Sequence, residues 1–354
     1  MRYQAPLGSQ WVSAAIWASA LASLAGCSDI AVRLGLRVRL DSVPVTTVSA
    51  SLVSKRDGSV VSALGPGQSA QLVLVATTQD GKQFATAGAG KGKVSFDNYT
   101  IQATIVQIGK GGAVSLSSDP RESDGKVPHL RIIPTAHPDV IAELDVPVRH
   151  DIPFVANFSG ADGANGMDGF AGLDGNAGSD GAAPTVDPVT GAPVTAGPGG
   201  RGSDGGNGSD GSDGQDGSPG GAVHIWVRLN SDAKPLLQAK VTSGVRQSFY
   251  LVDPNGGSLK IVADGGAGGR EGAGGRAGRG GSGGIGFPNG FAGLDGRPGA
   301  DGRKGQDGAA GTITISVDPA ARPFLKCISW SNHGGGGSPG PSPTIVVETV
   351  AALW

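Results

Sequence analysis

Two cysteines, five histidines, a few glycine-flanked lysines and long rows of aspartate are the residues of this 354-residue chain with types and spacing suited to chemistry. Cys27 closes the run Leu24-Ala25-Gly26-Cys27. Small residues before it leave the backbone open to a peptidase, and its thiol can carry a diacylglycerol. Cys327 sits in the apolar run Phe324–Trp330 with no base indicated nearby, and reads as a small buried hydrophobe. With one thiol left after acylation, no intrachain disulfide framework is expected. His129, His137, His150, His224 and His333 lack metal-ligand spacing. Gly90-Lys91-Gly92-Lys93 and Gly109-Lys110-Gly111 are superficially phosphate loops, but no Ser or Thr follows any of these lysines. They read as hairpin turns. Nothing supplies a nucleophile, base and orienter together, so no catalytic residue, metal or cofactor is expected. Aspartates three residues apart on a period-three helix lie about 9 Å apart. That is too far to share a calcium ion coordinated at about 2.4 Å, so the rows read as solvated ridges.

The elements that position these residues follow from composition. Glycine supplies 64 of 354 residues, while aromatics are 5% and charged residues 16%. A single enzyme core of this length needs more large apolar side chains. The chain therefore reads as an ordinary β module joined to a segment built on different physics. A formal net charge of −2 argues against a nucleic-acid partner, which requires a basic footprint.

The N-terminus is an address. Arg2 gives a short basic region, and Trp11–Leu24 is apolar but short for a membrane span. Together with Leu24, Ala25, Gly26 and Cys27 this resembles the lipobox of bacterial lipoproteins; an ordinary signal peptide or a buried helix is the alternative. The resemblance implies cleavage after residue 26, lipidation at Cys27 and a membrane partner through that lipid. Ser28 in place of aspartate implies the outer membrane. Whether the protein faces the periplasm or the exterior is left open.

Residues 27–158 read as a β-sandwich. Ala31–Leu40 alternates with period two, and Thr47–Val53, Ala70–Ala76, Lys93–Phe96, Ile101–Ile108, His129–Ile133 and Val140–Val146 are further candidate strands. Arg56-Asp57-Gly58, Gly65-Pro66-Gly67, Gln79-Asp80-Gly81 and Asp119-Pro120 punctuate them. Pro66–Leu74 followed by Asp80-Gly81-Lys82 resembles bacterial Ig-like surface domains, which implies a spacer or adhesive module.

Residues 159–354 hold four tracts, 160–181, 199–220, 266–284 and 290–311, in which glycine recurs at every third position. Period three is that of the polyproline-II helix. A 22-residue tract would span roughly 65–70 Å at ~3.1 Å per residue. A collagen trimer, a disordered linker and a bundle formed within one chain all remain open. Proline is scarce in the tracts, which disfavours collagen, and strict phase disfavours a linker.

The third tract carries a second glycine row, Gly268, Gly274, Gly280 and Gly283, broken by Glu271 and Ala277. It is expected to be the inner helix, with Arg270, Arg276 and Arg279 outward. The first and second tracts place Asp or Asn before glycine and are expected to be outer. Segments 222–264 and 312–354 read as a β base, with Asp253-Pro254-Asn255-Gly256 as a hairpin turn and Ile345–Trp354 closing the region.

Tracts such as Gly205–Gly214 running into a strand resemble the glycine-rich N-terminal domain of Obg-type GTPases. The GTPase motifs of that family are absent, so no nucleotide activity is implied. The fold expected is all-β plus a polyproline-II glycine-helix bundle, monomeric rather than trimeric. The function expected is that of a non-catalytic surface lipoprotein with a structural or adhesive role. The contact residues expected at the tip are Thr185, Val186, Asp187 and Pro188 with Phe287, Pro288 and Asn289. The surface ligand is not named by the sequence. A hydrolase on the β region is the enzyme alternative. Ice binding is disfavoured by the charged rows.

Overall fold

The computed structural model describes residues 37–230 and 234–354. Cys27, the lipobox and the first part of the strand expected at Ala31–Leu40 lie outside them. Strands hold 33% of the residues and helices 7%, and every helix among the described residues is a short 3-10 turn. The fold is β-rich. The chain divides into two compact units, one ending at Ile152 and the other running from Pro153 to Leu353.

The first unit holds β1 (Val45–Val53), β2 (Ser69–Thr78), β3 (Gln83–Ala85), β4 (Tyr99–Thr104), β5 (Val106–Gly109), β6 (Ala113–Leu116), β7 (His129–Pro134) and β8 (Ala142–Asp145). One antiparallel sheet runs β1-β2-β6-β5 with β3 beside β2, and a second runs β4-β7-β8. Both feed a single core. Ala70, Leu72, Leu74 and Ala76 alternate along β2 and are fully buried, as are Leu130 and Ile132 of β7. Such alternation is what places one face of a strand inward.

The single strand expected over Ile101–Ile108 is two. Ile105 breaks it with φ +70°, an outlier for a β-branched residue. The chain there passes from the β4 sheet to the β5 sheet. Lys93–Phe96 is no strand. Val94 makes isolated bridges to Val38 and Thr86, and Phe96 begins a 3-10 turn whose Ser95 hydroxyl accepts from the Asp97 N–H. Only Val38 of the described part of Ala31–Leu40 is bridged, and Leu40 opens a 3-10 turn.

The second unit begins earlier than the sequence boundary at 158, because β9 (Pro153–Asn157) pairs in parallel with β15 (Ser258–Val262). With β17 (Ile328–Ser331) they form a parallel sheet, β17-β15-β9. The second sheet takes β12 (Val223–Asn230), β13 (Leu236–Ser243), β14 (Arg246–Val252), β16 (Ile313–Val317) and β18 (Thr344–Val347) in the order β14-β13-β12-β16-β18. Ile225, Val227, Leu259, Ile261 and Ile315 lie in the core the two sheets share. Asp253–Gly256 is a turn but not a hairpin turn. It carries the chain from β14 in one sheet to β15 in the other, closed by the Gly257 N–H on the Asp253 carbonyl at 2.8 Å.

Each glycine tract is rooted on a strand of this base. The first leaves β9 and the third leaves β15, while the second enters β12 and the fourth enters β16. The tracts carry no strand or helix of their own, and their backbone hydrogen bonds run from tract to tract every third residue. Gly160 to Gly181 of the first donate to carbonyls of the third, from Asp264 to Ile285, at 2.7–2.8 Å. The second donates from Gly199 to Gly220 to the fourth at 2.8–2.9 Å, and from Gly200 to Gly221 to the first at 2.7–2.9 Å. The third donates to the second, and the fourth to the third, at 2.8–3.0 Å. The second and third tracts therefore each bond to all three others, and the first and fourth lie to either side.

The glycines are dictated by this approach. A Cβ on Gly275 would lie 1.9 Å from the Phe170 carbonyl oxygen, and one on Gly208 would lie 2.1 Å from that of Gly275. The second tract was expected outside and is central. Its row Gly200, Ser203, Gly206, Ser209, Ser212 faces the first tract with residues small enough to fit.

Candidate functional site

The expected tip residues are brought together at the end of the bundle remote from the sheets. β10 (Thr185–Val186) and β11 (Pro193–Val194) form a two-residue-long antiparallel ribbon. Asp187 builds its turn, accepting the Val189 N–H at 2.7 Å and the Thr190 N–H at 3.2 Å on Oδ1. Those backbone donors hold the Asp187 carboxyl below the ordinary carboxylate range. The second loop is tied to the first tract's return. The Phe287 N–H donates to the Gly197 carbonyl and the Gly199 N–H to the Pro288 carbonyl, both at 2.9 Å. Phe287-Pro288 is cis, and the Asn289 side chain accepts the Gly286 N–H at 3.0 Å. Both loops thus share one end, and Val189, Ile285 and Phe287 stand there 91%, 74% and 74% exposed. Thr185, Val186 and Pro188 are also at the surface or nearly so.

The aspartate rows are more than the solvated ridges expected of them. Their Oδ1 atoms accept backbone N–H groups of the neighbouring tract. Asp162, Asn165, Asp168, Asp174 and Asp180 of the first tract hold Ala267, Arg270, Ala273, Arg279 and Ile285 of the third at 2.8–3.0 Å. Asp204, Asn207, Asp210, Asp213 and Asp216 of the second hold the fourth at 2.6–2.8 Å. Asp295, Asp301 and Asp307 of the fourth hold Gly280, Gly274 and Gly268 of the third. The last set follows the interrupted glycine row. Where the third tract has Glu271 or Ala277 instead of glycine, the fourth has Lys304 or Pro298 instead of aspartate. Arg270, Arg276 and Arg279 are exposed, as expected of the third tract's remaining face.

His129, His137 and His224 are each engaged separately. His129 pairs with Asp145 at 2.7 Å, His137 Nε2 meets the Leu40 carbonyl at 3.0 Å, and His224 Nε2 meets Ser316 Oγ at 2.9 Å while stacked on Trp226 at 3.8 Å. No group of three potential metal ligands occurs among the described residues. The Cys327 thiol is buried and donates to the Pro254 carbonyl at 3.3 Å.

One cluster escaped the sequence reading. Ser331, His333 and Asp264 meet where the third tract leaves its sheet. Ser331 Oγ donates to Asp264 at 2.8 and 3.0 Å, and His333 Nδ1 lies 3.2 Å from that same Oγ and 3.4 Å from Asp264. A hydrolytic triad sets the histidine between serine and carboxylate, using both ring nitrogens. Here the carboxylate accepts the serine O–H directly and one ring nitrogen faces both partners. The group is built as a clamp, with the His333 backbone N–H also donating to Asp264 at 2.7 Å. Burial works to raise the Asp264 carboxyl, but the bonds from His333 and Ser331 outweigh it and hold it below its ordinary value. The adjoining run Gly334–Gly337, also unread in the sequence, lies along the bundle's base, with the Gly335 N–H on the Gly308 carbonyl at 2.9 Å. The signal was present, since four successive glycines follow a strand.

No protein-family model, curated protein or solved structure matches this chain. No helix among the described residues is long and apolar enough to cross a membrane.

Proposed function

We propose that the chain is a lipoprotein anchored in the outer membrane through Cys27, with a structural or adhesive, non-catalytic role. On this reading the first unit is an Ig-like β-sandwich spacer. The four tracts are polyproline-II helices packed as a stiff rod within one chain, and the loops at 185–194 and 285–289 are its contact surface. The partners are the membrane, through the lipid, and a surface ligand at the loops, with no cofactor and no nucleic acid.

The observation that carries the reading is the tract-to-tract hydrogen bonding, which closes within a single chain and ends in two loops pinned to each other. A segment so bonded along its whole length resists bending, and the apolar side chains it exposes at its end have no role in holding it together. Exposed aromatic and aliphatic groups on a rigid support suit contact with a partner.

Three measurements test this. Metabolic labelling with a radiolabelled fatty acid is expected to mark the wild-type chain and not the Cys27→Ser variant. Light scattering across a dilution series is expected to give a monomer mass; a trimer would replace the rod by a collagen-like assembly. Cells displaying the Val189→Ser/Phe287→Ser variant are expected to lose surface attachment. Undiminished attachment would overturn the tip as the contact surface.

A further inference from the structure

The two glycine–lysine turns that fail as phosphate loops in the sequence are brought side by side in the first unit. A hollow of about 540 Å³ is lined by Lys55, Arg56 and Lys91, and a second of about 470 Å³ by Arg37 and Lys110. Gly88 and Gly111 line both, so the hollows adjoin. Both glycines take left-handed conformations, φ +76° and +69°, and a Cβ on either would meet nothing within 4 Å. The floor between the cations is therefore bare backbone facing open space, which a ligand can approach closely.

The charge is unbalanced. None of the five cations forms an ion pair among the described residues. The two acids of the hollows are turned to local hydroxyls. Ser59 donates to Asp57 at 2.8 Å, and Ser95 to Asp97 at 2.9 Å. Five positive and two negative groups leave a net charge of +3. A cleft lined by one sign of charge concentrates the opposite ion. A terminal phosphate brings about 1.5–2 negative charges, so about two of them balance the site; phosphodiester headgroups, with one ionisable oxygen each, do so only as several on one surface, and one carboxylate does not. Lysine serves as a point charge for phosphate, and arginine as a two-pronged donor.

We propose that the adjoining hollows form a binding site for a ligand bearing two phosphate groups, with Lys91 and Lys110 at its centre. Such a ligand is either a soluble phosphate compound or the headgroups of a phospholipid surface. Inorganic pyrophosphate titrated into the full-length chain at low salt is the direct probe. Binding is expected to weaken at least tenfold in Lys91→Ala/Lys110→Ala and to survive in Lys91→Arg/Lys110→Arg, which keeps the charge and reports on folding. The Cys27→Ser chain is then floated with vesicles of phosphatidylglycerol and phosphatidylcholine in equal parts, and with phosphatidylcholine alone. Pyrophosphate binding without flotation identifies a soluble ligand. Flotation with the anionic vesicles only, lost in the alanine double variant, identifies headgroups. Absence of both, or binding equal in wild type and the alanine variant, overturns the site.

Discussion

Adjacent glycines in the second tract should respond very differently to the same substitution. A Cβ on Gly205 would stand 2.2 Å from the Gly278 carbonyl oxygen and 2.6 Å from its carbon. A Cβ on Gly206 would find its nearest neighbour, the Leu173 nitrogen, at 3.0 Å. Real Cβ atoms essentially never approach closer than 3.0 Å, so Gly205→Ala must part the two central tracts by about 0.8 Å (3.0 − 2.2). The bonds across that gap are Gly275 to Ser209, Gly278 to Gly206 and Gly281 to Ser203, now at 2.8–2.9 Å. Losing two or three of them costs about 2–3 kcal/mol, offset by about 0.4–1 kcal/mol from the stiffer unfolded chain. The net, about 2 kcal/mol, lowers the melting temperature of a unit this size by roughly 4–8 °C. Gly206→Ala enters a row that already carries Ser203, Ser209 and Ser212 and should melt within about 1 °C of wild type. Circular dichroism melts of the two variants decide the matter. Equal melting temperatures would refute the claim that backbone contact, rather than glycine content, holds the tracts.

The aspartate clamps make a second comparison. Asp301→Ala removes the acceptor for the Gly274 N–H and should cost about 0.5–1 kcal/mol, whereas Asp301→Asn should be nearly neutral, since Asn165 and Asn207 already fill equivalent places; thermal melts distinguish them. The third prediction concerns pH. The Asp264 carboxyl titrates lower in the folded chain than its ordinary value of about 3.9. Its clamp therefore contributes fully above about pH 4 and is lost as pH falls through the depressed native value. Wild type should lose stability over that window more steeply than Asp264→Asn, and parallel melting curves from pH 5 to pH 2 would count against the clamp.

Much of the bundle was legible because period three leaves only one face for glycine, and a second glycine row marked the third tract as central. The second tract's place was missed for a physical reason. Serine as well as glycine permits the close approach and bonds across the gap, as when the Met167 N–H donates to Ser212 Oγ at 2.7 Å. The row Gly200, Ser203, Gly206, Ser209 is a second row of small residues, and marks this tract, like the third, as one with two close faces. The service of the aspartates as acceptors for backbone N–H groups depends on register, which no tract reveals by itself. In the first unit, Ile105 carries no sign of its turned backbone, because its residue type argues for continued strand. The adjoining glycine–lysine turns lie some twenty residues apart in sequence and meet only through sheet pairing.

That register has a visible source in the base. β9 pairs with β15 at an offset of 105 residues, Pro153 opposite Ser258, and the clamps from the first tract to the third keep it, Asp162 holding Ala267. β12 pairs with β16 at an offset of 90, Val223 opposite Ile313, and the second tract holds the fourth at the same offset, Asp204 on Leu294. The parallel sheets thus hand their alignment to the tracts without a slip. Deleting Phe170 alone should therefore throw every later glycine of the first tract off its contact face. Side chains would then be set against carbonyls now about 2 Å from where their Cβ atoms would stand, and the tract's distal half should come loose. Deleting residues 170–172 keeps the glycine phase and moves the distal half down by one repeat. The contacts re-form, and the cost falls on the loop, where Gly197 donates to Ala182 and accepts from Phe287. Limited proteolysis should cut the single-residue deletion within residues 171–198 and leave the triplet deletion resistant below the tip. If both are cut alike, glycine phase does not govern the packing; if neither is cut, the tract's hydrogen bonds are not what orders it.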